Sequence, residues 1–324
     1  MAFLVTGLTA YTEQNEQQLV TASLFEARTQ QLILSEGNVL TGVKSSQTVN
    51  RMDTDVFFQD DSGCGFQTSG TTEFTQRTLT VGKIKVQETL CPKDLESVYL
   101  QKALPAGSNY DTIAFAAEYT GRKAGKIAEA LETAIWTATG SGYGGTNGLL
   151  NKFKGIRQHI ADAGTSVNAN VTGFYGTGAP ITGIDTMEKA QKSVLAVINA
   201  LPAAVKGKAD VRIFCGWDVY TLLIQKYVDL NLFHYNPGST NNAADSEFLV
   251  PGTSYKVVPV HGLNGTNDIY AMRMSNVFLG TDIEGEESRF EMWYSQDDRN
   301  VKYSTSLKIG VQLAFPDEVV RFEA

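Results

Sequence analysis

Basic charge is in short supply in this chain. Lys and Arg number 27 against 35 acidic residues in a length of 324, a formal balance of −8. A protein that grips nucleic acid by charge has the opposite balance or at least one basic block. Neither occurs, which argues against holding DNA by charge and leaves open an acidic wall standing beside DNA without gripping it. Cysteine is scarcer still: Cys64, Cys91 and Cys215 are far apart, form no C-x-x-C motif and are odd in number, which argues against a disulfide framework. The first basic residue is Arg28, so the start MAFLVTGLTAYTEQ has no signal-peptide character, and no apolar run approaches the roughly 18 residues of a membrane span. Synthesis in the cytosol without a membrane is therefore expected, and the sequons at Asn170 and Asn264 read as chance matches.

Catalytic patterns are missing as well. The three histidines, His159, His234 and His261, are dispersed and none lies in an H-E-x-x-H motif. There is no G-x-S-x-G elbow and no P-loop. The glycine-rich GSGYGGTNG at 140–148 follows a helical pattern and does not open from a strand, so it does not read as a dinucleotide loop. Cys215 ends an apolar, strand-like run and reads as a packed thiol. Glu284, Glu286 and Glu287 fall in a glycine-containing loop where solvation accounts for them. No reaction, metal or cofactor is suggested, and the expectation is that the chain is not an enzyme.

What is present is a folded composition, with 42% hydrophobic and 19% charged residues, organised around one stretch. Residues 109–138, NYDTIAFAAEYTGRKAGKIAEALETAIWTA, keep the three-and-four spacing of an amphipathic helix. Ile113, Ala116, Ala117, Thr120, Ala124, Ile127, Ala128, Leu131, Ala134, Ile135 and Ala138 form its inner face, while Arg122, Lys123, Lys126, Glu129 and Glu132 keep the other face wet. The inner face is mostly alanine with Gly121 and Gly125, which predicts a close crossing element. At 1.5 Å per residue the helix would run roughly 45 Å, longer than a small domain is wide. It reads as a strut through a flat, elongated molecule.

The remainder of the chain falls into pieces with few means of standing alone. Residues 1–54 are polar with too few apolar groups for a core and read as an arm that packs on something else. Residues 55–90 read as a long hairpin, VFF at 56–58 going out and an alternating limb from Glu73 to Thr89 coming back. A lone hairpin is marginally stable in water, so it needs a surface to lie on. DLESVYLQKAL suggests a short helix at 94–104. From Asp185 the texture turns α/β: a helix capped by Asp185 with Glu188, having Met187, Ala190, Val194, Val197, Ile198 and Leu201 inside; a strand at 211–215; a helix from Asp218; and strands at 255–260 and 268–274, with a polar loop at 236–252. Two strands around SQDDRN close the chain and are the natural partner for the alanine face.

This order resembles the major capsid protein of tailed bacteriophages, the Hong Kong ninety-seven-like shell fold. The likeness covers most of the chain and is most specific in ALPAGSNYDTIAFAAEYTGRKAGKIAEALETAIWTATGSGYGGTNGLL at 103–150 and in the ending MWYSQDDRNVKYSTSLKIGVQLAFPDEVV. It implies an α+β fold with an N-terminal arm at 1–54, an extended β-hairpin loop at 55–90 lying over a neighbour, a peripheral domain at 91–184 built on the spine helix, an axial α/β domain at 185–282, and terminal peripheral strands at 283–324. It implies a structural subunit that assembles with itself as hexamers and pentamers into an icosahedral head around double-stranded DNA. A scaffolding protein, a portal and decoration proteins are the further partners, and the virion is the location. Two other readings stay open: the shell of an encapsulin-type bacterial nanocompartment, and an α/β ligand-binding protein or enzyme built on 185–282.

By position, Arg77, Lys83 and Lys85 in the extended loop and Arg122, Lys123 and Lys126 on the spine are candidate charge partners for acids of neighbouring subunits, with plain solvation as the alternative for each. Some family members join a loop lysine covalently to a peripheral-domain asparagine. Here 60–72 contains no lysine, the nearest being Lys83, and Tyr303 falls near the asparagine's place, so no such cross-link is expected. The chain begins almost at the arm, which implies either a separate scaffolding protein or a segment removed beforehand.

Overall fold

The structure, a computed structural model, describes residues 28–60, 63, 69–91, 112–140, 151–171, 180–230, 247–282 and 290–324. The outer arm, the short helix expected at 94–104, the glycine-rich link at 141–150, most of the 236–252 loop, the glutamates at 284–287, Cys64 and His234 lie outside the described residues.

The expected strut forms as α2 (Thr112–Thr137), counted after α1 (Arg28–Ser35). Its 26 residues span about 39 Å. Thr120, Ala124, Ile127, Ala128, Leu131, Ala134, Ile135 and Ala138 are buried as the spacing predicts, and Trp136 is fully buried beside them. Glu132 departs from expectation: assigned to the wet face, it is only 4% exposed. The cause is α1, which crosses α2 at this point. Thr29 donates to the Glu132 carboxylate from its backbone N at 3.2 Å and from Oγ1 at 2.5 Å, and Trp136 Nε1 donates to Thr29 Oγ1 at 2.9 Å. Residues 28–40 are thus part of the body, and β1 (Val39–Leu40) pairs in parallel with β10 (Val277–Thr281).

The close crossing expected at the helix glycines occurs elsewhere. Gly121 and Gly125 face open space, whereas Gly262, in the short 3₁₀ turn His261–Leu263, lies against α2 so tightly that a Cβ there would sit 2.8 Å from the Glu132 carbonyl oxygen and 2.5 Å from the Trp136 ring. The small residue sits on the crossing element, so the helix keeps its full side chains.

The hairpin differs from the sequence reading in its strands. β2 (Ser46–Thr54) pairs antiparallel with β3 (Thr72–Thr80) from Ser46↔Thr80 to Thr54↔Thr72. The outgoing limb therefore lies upstream of Val56, Phe57 and Phe58, which form no strand and stand 70%, 71% and 91% exposed. The single returning limb is two strands: after Val81 the chain continues as β4 (Gly82–Leu90), which leaves β2 and pairs with β12 (Asn300–Leu313). Gly310 of β12 makes this possible, because the Thr80 carbonyl occupies the place a Cβ would take.

β12 organises the first sheet. On one side it pairs with β4 over 301–309; on the other it pairs with β11 (Phe290–Ser295) over 300–305 and with β10 over 309–313. Val301, Tyr303, Thr305 and Leu307 turn inward while Lys302, Ser304 and Ser306 stay partly wet, the period-two signature of a half-covered sheet.

The second sheet has the order β5-β13-β9-β6-β8-β7, formed by β5 (Val167–Asn168), β6 (Val211–Cys215), β7 (Phe248–Leu249), β8 (Lys256–Pro259), β9 (Ile269–Arg273) and β13 (Val320–Phe322). Alternate residues serve two cores. Ile213, Cys215, Val257, Ile269 and Ala271 pack beneath α4 (Met187–Ala200) and α5 (Trp217–Asp229). Phe214, Val258, Tyr270 and Met272 pack on the other face with Trp136, Leu131 and Ile160 of α3 (Ile156–Ala163). Trp136 is the joint, with ring centroids 5.1 Å from Phe214 and 6.0 Å from Tyr270. The alanine face thus meets the terminal strand, through Tyr303, Leu307 and Ile309, and the six-stranded sheet as well.

Two local readings of the α/β block change. The N-cap of α4 is Thr186, whose hydroxyl accepts from Lys189 N at 3.3 Å, while Asp185 pairs with Lys189 Nζ at 2.7 Å and Met187 is 38% exposed. At α5 the Asp218 carboxylate accepts from Val219 N and Gly265 N, both at 2.9 Å, tying the helix start to the loop after Leu263.

Candidate assembly surfaces

Among the described residues the hairpin is anchored from its base as far as Arg51. Leu79 is fully buried and Val49 nearly so, in a small cluster with Val43 and Ala314. Gln312 Nε2 donates to the Thr78 carbonyl at 2.7 Å. Arg51 donates from both terminal nitrogens to Asp317 at 2.9 and 3.2 Å and lies 4.7 Å over the Phe315 ring. A two-pronged guanidinium–carboxylate pair fixes direction as well as distance. Beyond this clasp the hairpin loses its cover. Met52 and Phe74 oppose each other across it at 59% and 73% exposure. Large apolar side chains gathered uncovered at one end of a chain mark a contact site.

The six cationic candidates are spread over this region. Arg77 is half-buried on β3 opposite Val49, and its charge helps to depress His159. Lys83 and Lys85 are exposed on β4, opposite Lys308 and Ser306. Arg122 is exposed on α2. Lys123 forms an ion pair with Glu88 of β4, which also accepts from the Tyr119 hydroxyl at 3.0 Å, and Lys126 pairs with Glu129 at 2.6 Å. Lys123 holds the Glu88 carboxyl below its ordinary range. Between β4 and α2 lies a cleft of about 200 Å³ lined by Ile84, Lys85, Val86, Ile127, Leu131 and Lys152.

The charged groups inside the body serve cohesion. Lys308 and Asp282 form an ion pair at 2.9 Å with side chains 5% and 3% exposed. Arg157 of α3 pairs with Asp268 at 2.5 Å and donates to the Tyr270 hydroxyl at 3.2 Å, which in turn donates to Glu323 at 3.2 Å. Burial raises Asp268 to about 6 against the pull of Arg157. Burial also lowers His159 to about 4 and pushes the Cys215 thiol up, so Cys215 is a packed thiol. His261 stacks on Trp217 with ring centroids 5.8 Å apart. Among the described residues no group of three or more His, Cys, Asp or Glu could hold a metal ion, and no helix is long and apolar enough to cross a membrane. Sequence reasoning missed Arg51 with Asp317, and the outward aim of Val56–Phe58. The second had a readable signal, three consecutive apolar residues bracketed by Asp55 and Asp60.

No protein-family model and no curated protein sequence matches the chain. Solved structures do. The procapsid of satellite phage P4, which includes the size determination protein, superposes with a TM-score of 0.60 at 12% identity, over 95% of this chain and 90% of that one. The capsid of the Myoviridae phage XM1 gives 0.53 at 11% identity, over 90% and 92%. A virus-like particle from Pyrococcus furiosus gives 0.52 at 10% identity, over 96% and 98%. With its long helix laid between two sheets and its hairpin leaving the body, the chain has the α+β fold of tailed-phage major capsid proteins, the Hong Kong ninety-seven-like shell fold.

Proposed function

We propose that this chain is a major capsid protein, a structural subunit that assembles with itself as hexamers and pentamers into an icosahedral head enclosing the double-stranded DNA of a tailed bacteriophage. The observation that carries the reading is a hairpin whose outer half carries uncovered Met52, Phe57, Phe58 and Phe74, on a body with the capsid fold. A subunit of a closed shell meets many copies of itself, and modest contacts add up through symmetry. The extended loop is the hairpin of β2 and β3, running from Ser46 to Thr80, residues 28–40 belong to the body, and the peripheral and axial domains keep the bounds set out above. Arg77, Lys83, Lys85 and Arg122 face acids of neighbours. Lys123 and Lys126 face acids of neighbours too, while holding Glu88 and Glu129 within the chain. The net charge of −8 suits a wall that encloses DNA without adhering to it. A scaffolding protein, a portal and decoration proteins complete the particle, which is assembled in the host cytoplasm and located in the virion. Tyr303 is buried against Tyr119, 5.8 Å between ring centroids, which supports an uncross-linked shell.

The likeness to the Pyrococcus furiosus particle favours one second reading, a cargo-holding nanocompartment. Electron microscopy with light scattering on the purified chain, expressed alone and with its neighbouring genes, separates the two. Closed shells carrying nucleic acid are expected. Small uniform shells formed by this chain alone and holding protein cargo would replace the phage reading, and a monomer or dimer under every condition would remove both.

A further inference from the structure

We infer that the cavity between the base of the hairpin and α3 is a binding site for a small tetrahedral oxyanion of the phosphate type, held by Arg77, Lys152, Lys154 and His159. The cavity measures about 190 Å³ and is bordered by Thr80, Val81, Gly140, Lys152, Lys154 and His159. At roughly 30 Å³ for each water it has the volume of about six, room for such an anion with part of its hydration. Two glycines clamp the wall that carries the lysines. A Cβ at Gly82 would strike the Lys152 carbonyl, and one at Gly140, whose φ is +63°, would sit 2.5 Å from Lys154 Cγ. Thr139 and Lys154 form a β-bridge at the same place. The backbone of 152–154 is thereby fixed, and both its lysines are delivered to one cavity.

The charges around it are unbalanced. Arg77 stands across β3 from the nearly buried Val49, so both side chains face the body, and the charge of Arg77 reaches His159. Among the described residues no carboxylate pairs with Arg77. Asp162 opposes Lys154 and Arg77 at His159, but it is already held by Lys154 at 2.6 Å. His159 is half-buried, its ring donates to the Val311 carbonyl of β12, and burial keeps it down at about 4 against an ordinary 6.5. The bond to Val311 fixes which nitrogen carries the proton in the neutral ring, and the other gains one most readily when negative charge stands beside it. A carboxylate brings two oxygens, whereas a phosphate-type anion brings more, which suits four donors converging from different directions. Arg77 has donors enough to serve this anion and an acid of a neighbour together. The half-burial of Arg77 and His159 favours a free ion over the backbone of a duplex, and the bound ion ties β3 to α3.

Calorimetric titration of the full chain with inorganic phosphate, in chloride buffer of constant ionic strength, tests the site. Saturable binding of one phosphate per chain is expected. It should be about tenfold weaker in Arg77→Gln and in Lys152→Gln, and unchanged in Lys208→Gln, which alters an exposed lysine of the α/β block. The Tm of each variant without phosphate reports that it folds. Sulfate keeps its charge across the range, so its binding should tighten about threefold from pH 7 to pH 5 as His159 takes up a proton, and His159→Gln should remove that dependence. A short DNA duplex in excess is expected not to compete with phosphate, and competition would overturn the free ion in favour of the DNA backbone. Acetate binding as tightly as phosphate would overturn the tetrahedral class. No saturable heat, or heat unaffected by Arg77→Gln and Lys152→Gln, overturns the site altogether and leaves the shell reading standing.

Discussion

Glu132 shows how little a single residue's burial is written in its neighbourhood. On the helix it is one of five charged residues at solvent spacing, and only Thr29, 103 positions away, puts it under cover. No local pattern could place it, whereas Leu131 and Ile135 one turn apart were legible from periodicity alone. Burial raises the Glu132 carboxyl above its ordinary range, with the two bonds from Thr29 pulling the other way. A group whose folded pKa is raised contributes stability that is present below its unfolded pKa and lost as pH rises through the folded one. Glu132→Gln cannot ionise, so the Tm difference between wild type and variant should move in the variant's favour from about pH 4 to about pH 8. A difference that stays flat across that range would mean that the carboxyl ionises as freely inside as outside.

Glycine positions decide how the elements meet, and here the sequence misdirects. Gly121 and Gly125 in a helix suggest close approach, yet the approach is made by Gly262, which lies in a loop where glycine needs no special explanation. Gly262→Ala should cost about 1–3 kcal/mol through overpacking against the Glu132 carbonyl and Trp136. Gly121→Ala should raise stability by up to about 1 kcal/mol, since it relieves a helix-interior glycine and meets nothing within 4 Å. Denaturant unfolding of the unassembled subunit measures both, and equal signs would refute this account of the crossing. The hairpin shows the same limit. The limb read as one from Glu73 to Thr89 shifts its apolar parity from Leu79 and Val81 to Ile84 and Val86. Nothing local says that β3, exposed apart from Leu79 and half-buried Arg77, and the alternately buried β4 lie in different sheets. The change of sheet between them is imposed by Gly310 on a distant strand. Terminal strands β11 and β12 were legible because an Asp-Asp-Arg-Asn turn separates two alternating runs, and Arg299 takes the positive φ of 55° that such a turn requires.

For the whole molecule, the order of elements was readable because helical spacing, strand alternation and turn residues mark each element locally, and the docking surfaces were not, because they join residues far apart in the chain. The clasp of Arg51 on Asp317 and Phe315 sets the direction in which the hairpin leaves the body. Arg51→Ala should cost about 1 kcal/mol in this partly exposed setting, a Tm change of a few degrees. Hydrogen exchange over 46–54 and 72–80 should rise and shell yield should fall, and unchanged exchange would show that Leu79 and Val49 hold the hairpin unaided. The place of β12 also bears on mechanical strength. A load that reaches the hairpin enters β4 at Gly82 and, when directed along the strand, is carried into β12 as shear across the register from Ile309↔Gly82 to Val301↔Leu90. Bonds loaded in shear yield together, those loaded by peeling yield one at a time, so a pull directed along β4 meets the whole ladder from Gly82 to Leu90 at once.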